Sequence, residues 1–163
     1  LGVGPNADFD GNLRGADISG ERITITGKIY DGAGGLVTDA MVATWQTDAQ
    51  GQYPAADAAF SGWARQACDL TTGVFTFQTI KPGCIATSTD RQSPHVSIWI
   101  VARGINLGLH TRIYFADEDN SADPVLALIE PSRRQTLIAS QQSGAYVFNV
   151  RLQGENETVF FDL

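Results

Sequence analysis

The chain holds few of the residues that usually announce a function, and each shortage removes a class of protein. Two cysteines, Cys68 and Cys84, in 163 residues are too few for a disulfide-stapled secreted domain. Free thiols in a reducing cytoplasm are expected. Lys and Arg number 11 against 18 Asp and Glu, a net charge of −7, which leaves no basic face for nucleic acid or anionic membrane. No apolar run approaches the roughly 20 residues needed to cross a bilayer, so a soluble chain is expected. The start has neither the basic nor the apolar region of a secretion leader. It opens on Leu1 rather than methionine, so residues 1–20 are expected to be a truncated N-terminal loop or arm. Repeats, low-complexity tracts, a G-x-S-x-G nucleophile elbow and a Cys/His pair close in sequence are all missing.

What is present is short β-patterning cut by glycine turns. Thr79 to Arg103 is the most informative stretch. Lys81-Pro82-Gly83 reads as a turn, Cys84 to Pro94 as a polar loop, and Val96 to Ala102 as a buried central strand. Before it, Ile23, Ile25 and Ile29 alternate with polar residues, Asp31 to Gly35 turns the chain, and Met41 to Gln46 returns. A turn at Asp48 to Gly51 precedes a long surface loop, Gln52 to Trp63. Strands are expected at Ala64 to Cys68 and Val74 to Thr79. After the central strand come Leu109 to Phe115, a helix start at Asp117 to Asn120, and a short helix at Val125 to Ile129 after Pro124. Two closing strands are expected, from Tyr146 to Leu152 and from Thr158 to Phe161. Seven or eight short strands with long loops and one or two short helices make a mostly β fold, an antiparallel β-sandwich over residues 21–163.

Most single candidates for chemistry have a plainer reading. Asp31-Gly-Ala-Gly-Gly35 lacks the lysine and hydroxyl of a phosphate loop and reads as a hairpin turn. Asp117-Glu118-Asp119 lacks the mid-loop glycine and terminal glutamate of an EF-hand and reads as a solvated helix start. Asn156-Glu157-Thr158 matches a glycosylation sequon and reads as a turn. His95 and His110 stand apart in sequence. Arg103 ends a very apolar strand, so its guanidinium must reach water or meet an anion.

Ordered matches point further. Ile29-Tyr-Asp-Gly32, Trp45-Gln-Thr-Asp48 with Gly51 and Tyr53, Thr79-Ile-Lys-Pro-Gly83, Pro94-His95, Ala102-Arg-Gly-Ile-Asn106, Leu109 to Phe115, and Gln153 to Asp162 together make a chain that resembles the intradiol aromatic-ring dioxygenases. The resemblance implies a catalytic chain that holds one non-haem ferric ion with two tyrosines and two histidines, and that opens a catechol ring with O₂ between its hydroxyls. Carried over one at a time, the first tyrosine is Tyr53 and the second is Ile85. The first histidine is His95 and the second is Ser97. Two of the four donors are therefore gone, leaving vestigial metal-site positions and no metal expected in this chain.

The Ala102 to Asn106 segment and the C-terminal tail resemble the non-catalytic α chains of two-chain members. The resemblance then implies an iron-bearing β chain as partner, with Fe(III) in that β chain and none here. Its substrate, protocatechuate, would lie at the αβ interface and leave as 3-carboxy-cis,cis-muconate. Arg103 matches the α arginine that reaches the substrate. Gly4-Pro5 resembles part of the family's N-terminal α segment, but its spacing is too short to carry that role over. Two other readings are set against this one: a metal-free β-sandwich binding module, and a stand-alone enzyme using Tyr53, His95 and His110 around another metal.

Overall fold

The computed structural model describes residues 18–55 and 58–162. The expected arm, with Gly4 and Pro5, falls almost wholly outside them.

The described strands are β1 (Arg22–Tyr30), β2 (Met41–Trp45), β3 (Trp63–Ala67), β4 (Val74–Ile80), β5 (Ile85–Ala86), β6 (Arg91–Gln92), β7 (His95–Val101), β8 (Leu109–Phe115), β9 (Ile138–Gln142), β10 (Ala145–Val147) and β11 (Val150–Arg151). One helical turn, α1 (Pro124–Ala127), and a 3₁₀ helix, Pro131–Leu137, lie between β8 and β9. Strands β4, β1, β10 and β9 form one layer; β8, β7, β2 and β3 form the other, with β9 passing between them to pair with β8. The expected β-sandwich with little helix is the observed architecture. Its pairings are mostly antiparallel, but β1 runs parallel to β10 and β11, and β8 parallel to β9.

The core follows from period-two alternation. In β1 the residues Ile23, Ile25 and Ile29 turn inward, and Phe75 and Phe77 of β4 do the same. They meet Val42 of β2, Val96, Ile98 and Ile100 of β7, and Ile113 of β8. Each fully buried Ile or Phe contributes about 1.5–3 kcal/mol of transfer free energy. A smaller cluster of Tyr114, Leu126 and Leu137, with Ile129, Val159 and Phe161 packed against it, lies apart from this core.

Several expectations need correction. The Asp31–Gly35 turn forms, yet its returning arm makes one bridge, Tyr30 to Leu36, before the chain crosses to the other layer as β2. Lys81-Pro82-Gly83 is no turn; its N–H groups bond to distant backbone, Lys81 N–H to the Glu21 carbonyl and Gly83 N–H to the Asp48 carbonyl. The loop from Cys84 to Pro94 contains the β5–β6 hairpin, with Ile85 opposite Gln92. Asp117 to Asn120 does not start a helix. Asp117 and Glu118 pair with Lys81 instead, at 3.0 and 2.7 Å, and Asp123 caps α1.

The expected strand from Tyr146 to Leu152 is broken into β10 and β11. At the break the Asn149 side chain takes the Lys28 N–H, at 3.0 Å. Thr158 to Phe161 keeps only the bridge from Phe161 to His110. Thr158 N–H bonds the Arg151 carbonyl, and side chains serve Val159: Thr136 Oγ1 accepts from its N–H, and Thr111 Oγ1 donates to its carbonyl. The 3₁₀ helix and β9 carried no periodic signal that distinguished them from loop.

Candidate functional site

Strand β7 divides its residues between two environments. Val96, Ile98 and Ile100 enter the core, while His95, Ser97, Trp99 and Val101 point to the opposite, outer face. The pairing register decides what they meet. On β8, Tyr114 lies opposite His95, Arg112 opposite Ser97, and His110 opposite Trp99. On β2, Trp45 lies opposite Ser97 and Met41 opposite Val101; Trp63 of β3 lies opposite Trp45. All three tryptophans of the chain therefore share one face, and each is more than 40% exposed.

Two loops complete the surroundings. Gln46 is buried and bridges the layers, donating to the Ile80 carbonyl and accepting from Thr79 Oγ1. The Asp48 carboxylate accepts from the N–H groups of Gln50 and Gln52 and so shapes the next turn. That turn lies directly on the 83–85 segment. A Cβ on Gly51 would stand 1.9 Å from the Cys84 carbonyl oxygen, and one on Gly83 would stand 2.5 Å from that of Ala49. Only glycine permits this backbone contact. Tyr53 then stacks on Trp45 with ring centroids 5.8 Å apart.

The contacts form a ring. Tyr53 stacks on Trp45, Trp45 faces Ser97, Ser97 faces Arg112, and Arg112 donates to Gln92 Oε1 at 3.0 Å. Gln92 pairs with Ile85, whose neighbour Cys84 lies against Gly51.

His95 sits beside this ring, buried at 5% exposure. Its Nδ1 lies 2.8 Å from the Ser93 carbonyl oxygen. A carbonyl only accepts, so Nδ1 carries the proton and Nε2 keeps a lone pair. Burial first, then the Arg112 guanidinium, hold its proton affinity below the ordinary imidazole value, against the Ser93 hydrogen bond and the Asp123 charge.

Tyr114 is fully buried, and burial pushes its phenol up to about 12 despite the nearby guanidinium. It therefore stays protonated and donates to Asp123 at 3.1 Å while accepting from Arg112 at 3.3 Å. Asp123 also accepts from the N–H groups of Ser93, Val125 and Leu126, tying β7, β8 and α1 together.

With this geometry in view, similarity to known proteins becomes specific. A family model described as dioxygenase matches residues 6–154. The protocatechuate 3,4-dioxygenase alpha chain of Pseudomonas putida is 46% identical over 157 residues, covering 90% of this chain and 78% of the relative. This chain belongs to the intradiol dioxygenase family. The beta chain of the same enzyme from Burkholderia cepacia is 28% identical, over 85% of this chain and 67% of that one. A solved intradiol ring-cleavage dioxygenase from Tetranychus urticae shares the fold, with a TM-score of 0.66 at 17% identity over 86% and 84% of the two chains.

The family implies a ferric ion in its catalytic chains, and the residues here do not fit one. Phenolate and imidazole suit Fe(III). Around the ring, Ile85 offers no lone pair, Ser97 offers only a neutral hydroxyl, and the phenol of Tyr114 stays protonated. His110 does not join His95 to rebuild a site. It stacks on Trp99 at 5.9 Å, four register positions along the β7–β8 ladder from the His95–Tyr114 pair. That removes the geometry on which a stand-alone site of Tyr53, His95 and His110 rested. Among the described residues, no three His, Cys, Asp or Glu side chains gather as a metal site.

Arg103 lies beyond the other end of β7. Its side chain is 91% exposed, with Nε 3.5 Å from Asp39. It lines an open cleft of about 800 Å³ with Asp31, Asp39, Glu157 and Phe160. The guanidinium thus reaches water, which was one of the two fates open to it.

Sequence reasoning missed Arg112, Gln92, Tyr114 and Asp123. One signal was available. In Leu109 to Phe115 the inward parity is Thr111, Ile113 and Phe115, which leaves His110, Arg112 and Tyr114 together on the outer face. No local pattern joins Gln92 or Asp123 to them.

Proposed function

We propose that this chain is the metal-free α subunit of a hetero-oligomeric protocatechuate 3,4-dioxygenase, docked to an iron-bearing β chain that cleaves protocatechuate to 3-carboxy-cis,cis-muconate. The 46% identity to an alpha chain over 90% of this chain carries the reading. The loss of donors at Ile85 and Ser97, in a ring that keeps Tyr53 and has His95 beside it, supports it. No cofactor belongs to this chain on this reading; Fe(III) belongs to the partner.

The outer face of β3, β2, β7 and β8 suits such a partner. Trp45, Trp63, Trp99 and Met41 expose apolar area on a regular sheet surface, the composition typical of interface centres. The similarity of a beta chain to this one means that the two partners share a fold and can meet through related faces. Residues 21–163 supply the docking domain and residues 1–20 an arm. Arg103, exposed at the end of β7, supplies a cation for the substrate carboxylate at the αβ interface.

A net charge of −7 and the free thiols of Cys68 and Cys84 support a cytoplasmic location without nucleic acid or membrane as partner. Among the described residues no helix is long and apolar enough to cross a membrane.

Purification alone and after co-expression with the β chain tests the reading. Alone, the chain should hold no iron and cleave no ring; the complex should be coloured and active. Stoichiometric ferric iron in the isolated chain overturns it. In the complex, Arg103→Ala should raise KM for protocatechuate about 10-fold or more with iron retained. Unchanged kinetics would remove Arg103 from the pocket.

A further inference from the structure

The loss of two donors explains why iron would bind weakly to this chain. It does not explain what stands at the site instead. We infer that Arg112 is a built-in cation that takes the place of the metal: its guanidinium is fixed among the vestigial positions and closes them to any metal ion, independently of the missing ligands. The inference rests on the α-subunit reading for the identity of those positions.

Three contacts locate the guanidinium. Arg112 is the cross-strand neighbour of Ser97. Its Nη1 donates to Gln92 Oε1 at 3.0 Å, and Gln92 is the cross-strand neighbour of Ile85. The same Nη1 donates to the Tyr114 hydroxyl at 3.3 Å, and Tyr114 is the cross-strand neighbour of His95, with ring centroids 5.6 Å apart. One side chain therefore touches the direct partner of each of two vestigial positions and is itself the partner of a third. The Phe161 ring lies 5.9 Å from the guanidinium carbon on another side, a favourable arrangement for a cation.

The chemistry of these contacts fits a resident cation. Gln92 presents its carbonyl oxygen and Tyr114 its hydroxyl oxygen, both as acceptors. Tyr114 turns its own proton to Asp123, which leaves its lone pairs for Arg112. A guanidinium does not give up its proton in a protein, so the charge is permanent. An incoming metal ion would meet a fixed like charge at a distance of a few ångströms, where repulsion in a partly desolvated site is large.

The test restores the donors with and without the cation, in the full chain. Ile85→Tyr with Ser97→His returns all four donor types but keeps Arg112. Adding Arg112→Gln removes the charge, and Arg112→Lys in its place keeps a cation. Ferric iron binding is read by dialysis with metal analysis and by the visible tyrosinate-to-iron band. The variant with Arg112→Gln should bind iron about 100-fold or more tightly than the two cation-bearing ones and should alone be coloured.

Equal iron binding with Arg112 retained, or none after its removal, overturns the inference. Where a variant does not fold alone, the same series is read in the assembled complex, as a second iron per αβ pair. The wild-type chain settles the α-subunit reading separately: iron in it, or failure to join a β chain, counts against that reading and not against the difference between Arg112→Gln and Arg112→Lys.

Discussion

The two faces of β7 are built from one run of residues and obey different rules. Inward, Val96, Ile98 and Ile100 are each no more than 2% exposed, and every one is what a sandwich core requires. Outward, the same strand carries His95, Ser97 and Trp99. None of these is the residue that core packing would select, and the neighbouring strands add Trp45, Trp63, Arg112 and His110. The inner face explains why the chain folds. The outer face holds the residues that folding leaves unexplained, which makes it the place to look for partners.

The sharpest test of this contrast compares adjacent residues. Ile98→Ala should lower the unfolding free energy by about 3 kcal/mol through cavity formation, read by urea denaturation. Trp99→Ala, one residue on, should cost the isolated chain no more than about 1 kcal/mol. Equal losses would mean that the two faces do not differ in this way. The contrast inverts in the assembly. There Trp99→Ala or Trp45→Ala should weaken association with the β chain by about 10- to 100-fold, measured by titration.

Effects at the margin of the sheet are smaller. Lys81 is 13% exposed and joins Asp117 and Glu118. Burial opposes its charge, but hydrogen bonds to Glu118 and Asp117 raise its proton affinity above the ordinary lysine value of 10.5. Burial likewise opposes the Asp117 charge, and the bonds from Lys81 and Tyr146 still hold that carboxyl below 3.8. Lys81→Met should therefore cost about 2 kcal/mol near neutral pH.

The sign at each end of the pH scale follows from linkage. The depressed Asp117 contributes stability above pH 3.8 that is lost as pH falls further. The raised Lys81 contributes below pH 10.5 and loses it as pH rises through the folded value. The Lys81→Met penalty should shrink at both extremes, and a constant penalty from pH 3 to 8 would contradict the pairing. The smallest effect is expected inside the core. Thr44 is 2% exposed and its hydroxyl has no hydrogen-bond partner among the described residues. Thr44→Val should be neutral or stabilise by up to about 1 kcal/mol.

Much of this was legible in the linear chain, for identifiable reasons. Alternation in β1, β4 and β8 is local, since a side chain's face is fixed by its own backbone; those strands could be read from a handful of residues. The turns at Asp31 and Asp48 are local too, because each aspartate closes its own loop by accepting from N–H groups two and four residues on. The helix start failed because Asp117 and Glu118 met Lys81, a partner more than thirty residues away. The last strand failed because side chains of Thr111 and Thr136 took the bonds a ladder would have used.

By itself, the sequence determined the two-layer β-sandwich through its period-two pattern, and its family resemblance set Ile85 and Ser97, neither a phenol nor an imidazole, at positions where metal donors are expected. Tertiary structure alone decided what stands among those positions. Arg112 reaches them because β7 and β8 pair in one register and because Gln92, twenty residues away, lies in a hairpin folded back over the strand. Register depends on contacts between distant segments, and a one-residue slip would turn Arg112 to the opposite face.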